Sequence, residues 1–275
     1  MWAELLHAWV EDDHEDEFAW DLISCLNRRG ELKVVHWSLA LLQNERGALR
    51  ELAAVLLRHH GCERGRPFAR TVVGPVAAVL ATETDPAARQ AMVAVIASSE
   101  LPSELDRVRP WANDADPDIR ETVAVNLPSL WPNSKLPDRV IETLVMLSRD
   151  GVARIRDWAG YSLGSGCDND TPVVRATLID RLGESFDESD AAAEAAIGLA
   201  RRGDPQAFGH IERWLTQEEP NWRILDAAGK CGRIELLPML EDLRGEVRDE
   251  EELFLSIAIE RVTDRAAWDW RTDRS

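Results

Sequence analysis

The chain has 275 residues, 45% of them hydrophobic, and is long enough to bury a substantial core. Its 50 acidic against 32 basic residues give a net charge of −18, a field that repels phosphate backbones and anionic lipid and excludes nucleic acid and membrane surfaces as general partners. The start lacks a basic region ahead of an apolar one, no later apolar run is long enough to cross a bilayer, and Cys25, Cys62, Cys167 and Cys231 form no CxxC pair, so a cytoplasmic protein with buried free thiols is expected.

From the N-terminus onward one frame recurs, with core-type residues at offsets 0, 3, 4 and 7, which share one side of a helix. Ala19 opens the first copy, with Leu22, Ile23 and Leu26; Arg50 opens the second, with Ala53, Ala54 and Leu57. Arg89, Arg120 and Arg156 begin the next three, followed by Met92, Val93 and Ile96, by Val123, Ala124 and Leu127, and by Ala159, Gly160 and Leu163. Three later copies start at Ala192, Ile224 and Leu255, so the arginine at the first position is absent from the last part of the chain. The spacing between starts, 31 to 39 residues, is that of helical repeat arrays.

A second amphipathic stretch precedes each framed helix: WAELLHAWV, VVHWSLALLQ, VVGPVAAVLA, ELDRVRPWA, DRVIETLVMLS, VVRATLIDRL, AFGHIERWL and ELLPMLEDL. Each repeat is therefore read as a hairpin of helix A and helix B. Asp85-Pro86 and Asp116-Pro117 begin helix B, with Asp capping orphan N–H groups and Pro at the first helical position, where its missing donor costs nothing. Thr171-Pro172 and Asp204-Pro205 play the same part before helix A, and Gly30, Gly61, Gly183, Gly203 and Gly245 mark helix ends. Arg89, Arg120 and Arg156 are assigned structural roles with Asp85 and Asp116, and Asp116 and Asp150 are the expected acidic partners of Arg120 and Arg156.

An Asp-Pro turn, an Arg four residues after the Asp and an Ala-rich second helix resemble the HEAT-repeat family. RRGDPQAFGHIERWL and DAAGKCGRIELLPMLEDL look like the short bacterial HEAT-like repeat named after phycobilisome lyases, and RDWAGYSLGSG (156–166) resembles a variant from uncharacterised bacterial HEAT proteins. The resemblance implies an all-α superhelix, an α-α solenoid of about eight HEAT-like hairpins, in one domain spanning 1–275. All but three of the basic residues are Arg, a composition that fits a high-GC bacterial source.

The enzymes that the resemblance brings to mind find little support in the residues. Deoxyhypusine hydroxylases hold two irons through recurring His-Glu pairs, and this chain has one such pair, His14-Glu15. Nothing here matches a pigment contact of phycobilin lyases, and the acidic balance opposes the basic groove of HEAT-like alkylpurine DNA glycosylases. His7, Glu11 and His14 fall on one helical face and are read as a solvated polar face for want of a fourth ligand. RHHGCERGRPFAR (58–70) is basic enough to hold an anion and is read as an inter-helix loop, and the acid of EDDHEDE and of 241–252 as solvated. No catalytic residue, metal ligand or cofactor is nominated.

What remains is the side of helix B opposite the core, offsets 2, 5, 6 and 9, because stacked hairpins line their inner surface with B helices. In repeats three to five it carries Ala91 and Val95, then Thr122, Val125 and Asn126, then Trp158, Tyr161 and Ser162, and it is unexpectedly apolar. Two readings of this face stand open: an apolar protein-binding patch with Trp and Tyr anchors, or packing between successive B helices that hides offsets 5 and 6. Other tryptophans, such as Trp37, Trp111 and Trp214, are expected in the core. The function expected is a non-enzymatic protein-interaction scaffold binding a protein partner along helix B, and in its sharper form an immunity-type inhibitor whose acidic surface neutralises a basic toxin. The alternative is an enzyme or small-molecule binder using the groove, with Trp158, Tyr161 and Asn126 stacking on or hydrogen-bonding to a ligand.

Overall fold

The computed structural model describes residues 5–6, 9, 17–29, 31–60, 65–131, 133–184, 190–217 and 221–264. Among them every regular element is a helix. They divide into two compact units, 1–133 and 134–275. In a repeat array each hairpin contacts only its neighbours, so compact units can form along the chain without a change of repeat.

The first unit holds α1 (Glu17–Arg29), α2 (Leu32–Leu41), α3 (Gly47–His59), α4 (Ala69–Leu80), α5 (Pro86–Ala97), α6 (Leu105–Val108) and α7 (Pro117–Asn126). The second holds α8 (Asp138–Leu147), α9 (Ala153–Gly164), α10 (Pro172–Arg181), α11 (Ala191–Arg201), α12 (Gln206–Gln217), α13 (Trp222–Cys231), α14 (Leu237–Asp242) and α15 (Glu252–Thr263). The odd-numbered helices are the framed B helices. In the first unit α3 packs on α5 and α5 on α7; in the second α9, α11, α13 and α15 stack in succession. Most of the first A helix, and Gly30 and Gly61, lie outside the described residues, but Leu5 and Trp9 are buried against Ala19, Ile23, Leu26, Leu52 and Leu56.

The frame works as the periodicity requires. At its inner offsets Ala53, Ala54 and Leu57, Met92, Val93 and Ile96, Val123, Ala124 and Leu127, and Ala159 and Leu163 are all buried. Two A stretches break up. ELDRVRPWA is a 3-10 turn, the short α6 and a second 3-10 turn, and in ELLPMLEDL a 3-10 turn precedes α14. Pro110 and Pro238 have no N–H for the helical ladder, so the helix stops and restarts around each.

The turns are held by a recurring arginine latch. Nη1 of Arg50 donates to the carbonyls of Asn44 and Glu45 at 2.8 and 2.9 Å. Arg120 does so to Asp114 and Ala115 at 2.9 and 3.2 Å, and Arg156 to Asp150 and Gly151 at 3.1 and 3.4 Å. Arg50 also grips both oxygens of Glu83 at 2.6 Å and Arg156 meets Glu184 at 2.9 Å, each an acid one hairpin on, and Arg89, in the same frame position, likewise meets Asp114 at 3.2 Å. Glu83, Asp114 and Asp150 in turn accept from the backbone N–H two residues on. These contacts place the arginines at the inter-repeat turns. Asp150 offers Arg156 its carbonyl, and the Asp116 carboxylate accepts from Asp118 N–H at the start of α7, the role that Asp85 fills for α5 through Ala88 N–H. Beyond the last latch another device takes over. Arg202, only 9% exposed, donates to the carbonyls of Leu163, Gly164, Cys167, Asn169 and Gly198, which satisfies a buried guanidinium and pins the C-terminal end of α9.

Candidate interaction surface

The residues of the expected strip fall in both units and differ in exposure. In the first unit Val95, Thr122 and Asn126 are buried, and Ala91 and Val125 are half-buried. Asn126 is engaged on both sides of its amide: Nδ2 donates to Thr122 O at 2.8 Å and Oδ1 accepts from Arg58 Nη2 at 3.0 Å, which ties α7 to α3. Its side chain is a structural tie, and it offers no open amide to a ligand. The face opposite the core is here itself largely interior.

In the second unit the same register opens. Trp158 is 40% and Tyr161 46% exposed, with ring centroids 6.0 Å apart in an edge-to-face pair, while Ser162 beneath them is buried. Small Ala159 and Gly160 take the inner side of this turn, so both rings are directed outward from α9. The frame carries this face onto α11 and α13, where it becomes charged. Glu194 is buried, accepting from Ser165 Oγ at 3.3 Å and from Arg223 Nε at 3.4 Å, while Arg223 also meets Asp190 at 2.9 Å. Burial raises the Glu194 carboxyl above its ordinary range; Arg223 and Ser165 act against that, and Asp190 with it. Further along, Asp226 pairs with Lys230 and, at 3.2 Å, with Arg261. The aromatic pair therefore lies beside a chain of ion pairs. Trp222, 38% exposed, is a further outward aromatic, with Arg223 stacked 4.5 Å from its ring centroid. The sequence reading placed Trp222 on no surface, although its position immediately after the Asn221 cap fixes it in the first turn of α13.

Elsewhere the candidates separate. Trp214 is buried as expected and Trp37 and Trp111 are half-buried. Cys167 is a buried free thiol whose pKa burial pushes up, while Cys25 and Cys231 are free but only half-buried, so burial of all the thiols does not hold. Cys62, His7, Glu11, His14 and Glu15 lie outside the described residues. Among the described residues no cluster of His, Cys, Asp and Glu could hold a metal, and no helix is long and apolar enough to cross a membrane. An open cleft of about 640 Å³ is lined by the turns that follow α11 and α13, with Phe208, Arg233 and Ile234, and includes none of the strip residues.

No protein-family model and no curated protein matches the chain. Among solved structures, that of Escherichia coli YibA is similar at 20% identity and a TM-score of 0.66, covering 95% of this chain and 92% of YibA. Human deoxyhypusine hydroxylase, solved in complex with glycerol, aligns at 14% identity over 95% of both chains with a TM-score of 0.37, too distant to carry an argument. The likeness to YibA shows the fold: an all-α helical-repeat array of HEAT-like hairpins.

Proposed function

We propose that the protein is a non-enzymatic interaction module that docks a protein partner on α9, with Trp158 and Tyr161 as anchors. The observation that carries this reading is the outward aromatic pair in edge-to-face contact, on a helix whose C-terminal end the Arg202 clamp pins, beside a charged rim. Large, preorganised aromatics flanked by charge are the usual anchors of protein interfaces. The surplus of acid favours a basic partner, and in its sharpest form the module is an immunity-type inhibitor of a basic toxin. The repeat type we infer is that of bacterial HEAT-like proteins named after phycobilisome lyases, from RRGDPQAFGHIERWL and DAAGKCGRIELLPMLEDL. No observation favours the small-molecule alternative at this face, since Asn126 is already engaged.

The test is an affinity measurement with the partner captured from native extract, run beside a thermal melt. Trp158→Ala is expected to weaken binding by about 2 kcal/mol, roughly 30-fold, with an unchanged melt because the ring is half outside the core. Raising salt should slow association more than it speeds dissociation. Unchanged affinity, or a protein that unfolds, places the site elsewhere.

A further inference from the structure

The first unit contains a half-buried cation with no acidic partner among the described residues. This is Arg58, at the end of α3, which donates Nη2 to Asn126 Oδ1 at 3.0 Å. The next cation, Arg66, donates Nη1 to Arg58 O at 2.6 Å and keeps Glu100 at 3.3 Å for itself. Burial and Arg66 both act against the Arg58 charge. Burial first, then Arg58 and Arg66, holds the neighbouring His59 down to about 4. Two guanidinium groups thus face one carboxylate, and a half-buried cation without a counterion is costly.

Between these groups lies a cavity of about 10 Å³, lined by Arg58, Arg66, His60, Phe68 and Ser99 among others. Ser99 is 3% exposed, and its Oγ makes no hydrogen bond within the described residues. A buried hydroxyl left unsatisfied calls for an occupant, and the space is of the order that one water or a single monatomic ion fills.

We propose that this cavity is a binding site for a single halide-sized anion such as chloride, held by Arg58, Arg66 and the Ser99 hydroxyl. The bound ion supplies the missing negative charge and accepts the Ser99 O–H, so it stabilises the packing of α3 against α4, α5 and α7.

The experiment compares thermal melts in chloride and in gluconate at constant ionic strength, because gluconate is too large to enter. Chloride should raise the midpoint saturably by about 3 °C or more at 200 mM, with bromide replacing it. Arg58→Gln and Ser99→Ala should each weaken the apparent affinity about tenfold. If Arg58→Gln does not fold, Ser99→Ala together with an anomalous bromide peak beside Arg58 and Ser99 in wild-type crystals decides the matter. Equal midpoints in chloride and gluconate, a chloride response unchanged by the variants that fold, or no bromide peak would overturn the site and leave a water there.

Discussion

Glu194 shows what a side chain's surroundings can do that its identity does not foretell. In the repeat it is a polar residue at an outward offset, and in the fold it is buried with its carboxylate between Ser165, Arg223 and Asp190. Its folded pKa stands above the ordinary 4.5, so in that interval the native state binds the proton that the unfolded state has already released. Stability therefore falls as pH rises from about 4.5 through the folded pKa, with the native state disfavoured by the ionised form above it. Glu194→Gln is expected to abolish that fall and to leave stability at pH 7 unchanged or raised by up to about 1 kcal/mol. Urea denaturation of both proteins across pH 4 to 8 checks this, and a loss of several kcal/mol at pH 7 would show that the Arg223 pair outweighs burial. Glu83 is the opposite case: its hydrogen bonds to Arg50 lower its pKa, so its contribution is present above 4.5 and is lost as pH falls through the folded value.

At the scale of helices, the contact between α9 and α11 depends on two residues with no side chain. A Cβ placed on Gly198 would sit 2.5 Å from Gly164 Cα and 2.9 Å from Leu178 Cδ1, and one on Gly164 would sit 2.5 Å from Glu194 O. Two of these obstacles are backbone and cannot swing aside. Gly198→Ala should therefore destabilise by about 1 to 3 kcal/mol, despite the better helix propensity of alanine, because the helices must separate. A denaturation midpoint equal to or above wild type would mean that the crossing relaxes freely. This same crossing carries Trp158 and Tyr161 outward on α9 and Glu194 inward on α11. The breaks at Pro110 and Pro238 act in the other direction: they shorten A helices and leave the B helices continuous.

Across the whole molecule the dominant property is charge. With a surplus of 18 acidic residues, each phosphate contact would be made against a repulsive field, and the basic stretch from 58 to 70 spends Arg58 and Arg66 on internal contacts. Binding to duplex DNA at 150 mM salt should be weaker than about 100 μM. A mobility shift in the micromolar range, lost on replacing Arg64, Arg66 and Arg70, would reverse this and bring the groove alternative forward. The acid should speed encounter with a basic protein at low salt, since long-range steering acts on the association rate.

The sequence by itself determined the fold class, the place of every B helix and most of the side chains that those helices bury, because these follow from a local period that each helix repeats without reference to its neighbours. It also marked the caps at Asp85, Asp116 and Thr171, whose partners lie two or three residues away. What only the tertiary structure decided is which outward positions of the B helices are covered. Offsets 2, 5 and 6 describe the same face of every helix, yet that face is interior at Thr122 and Asn126 and open at Trp158 and Tyr161. Which groups of other helices cover each position, a long-range property, sets that difference. The Arg156–Glu184 pair, the Arg202 clamp and the Arg58–Asn126 tie belong to the same class, since each joins groups 28 or more residues distant in the chain.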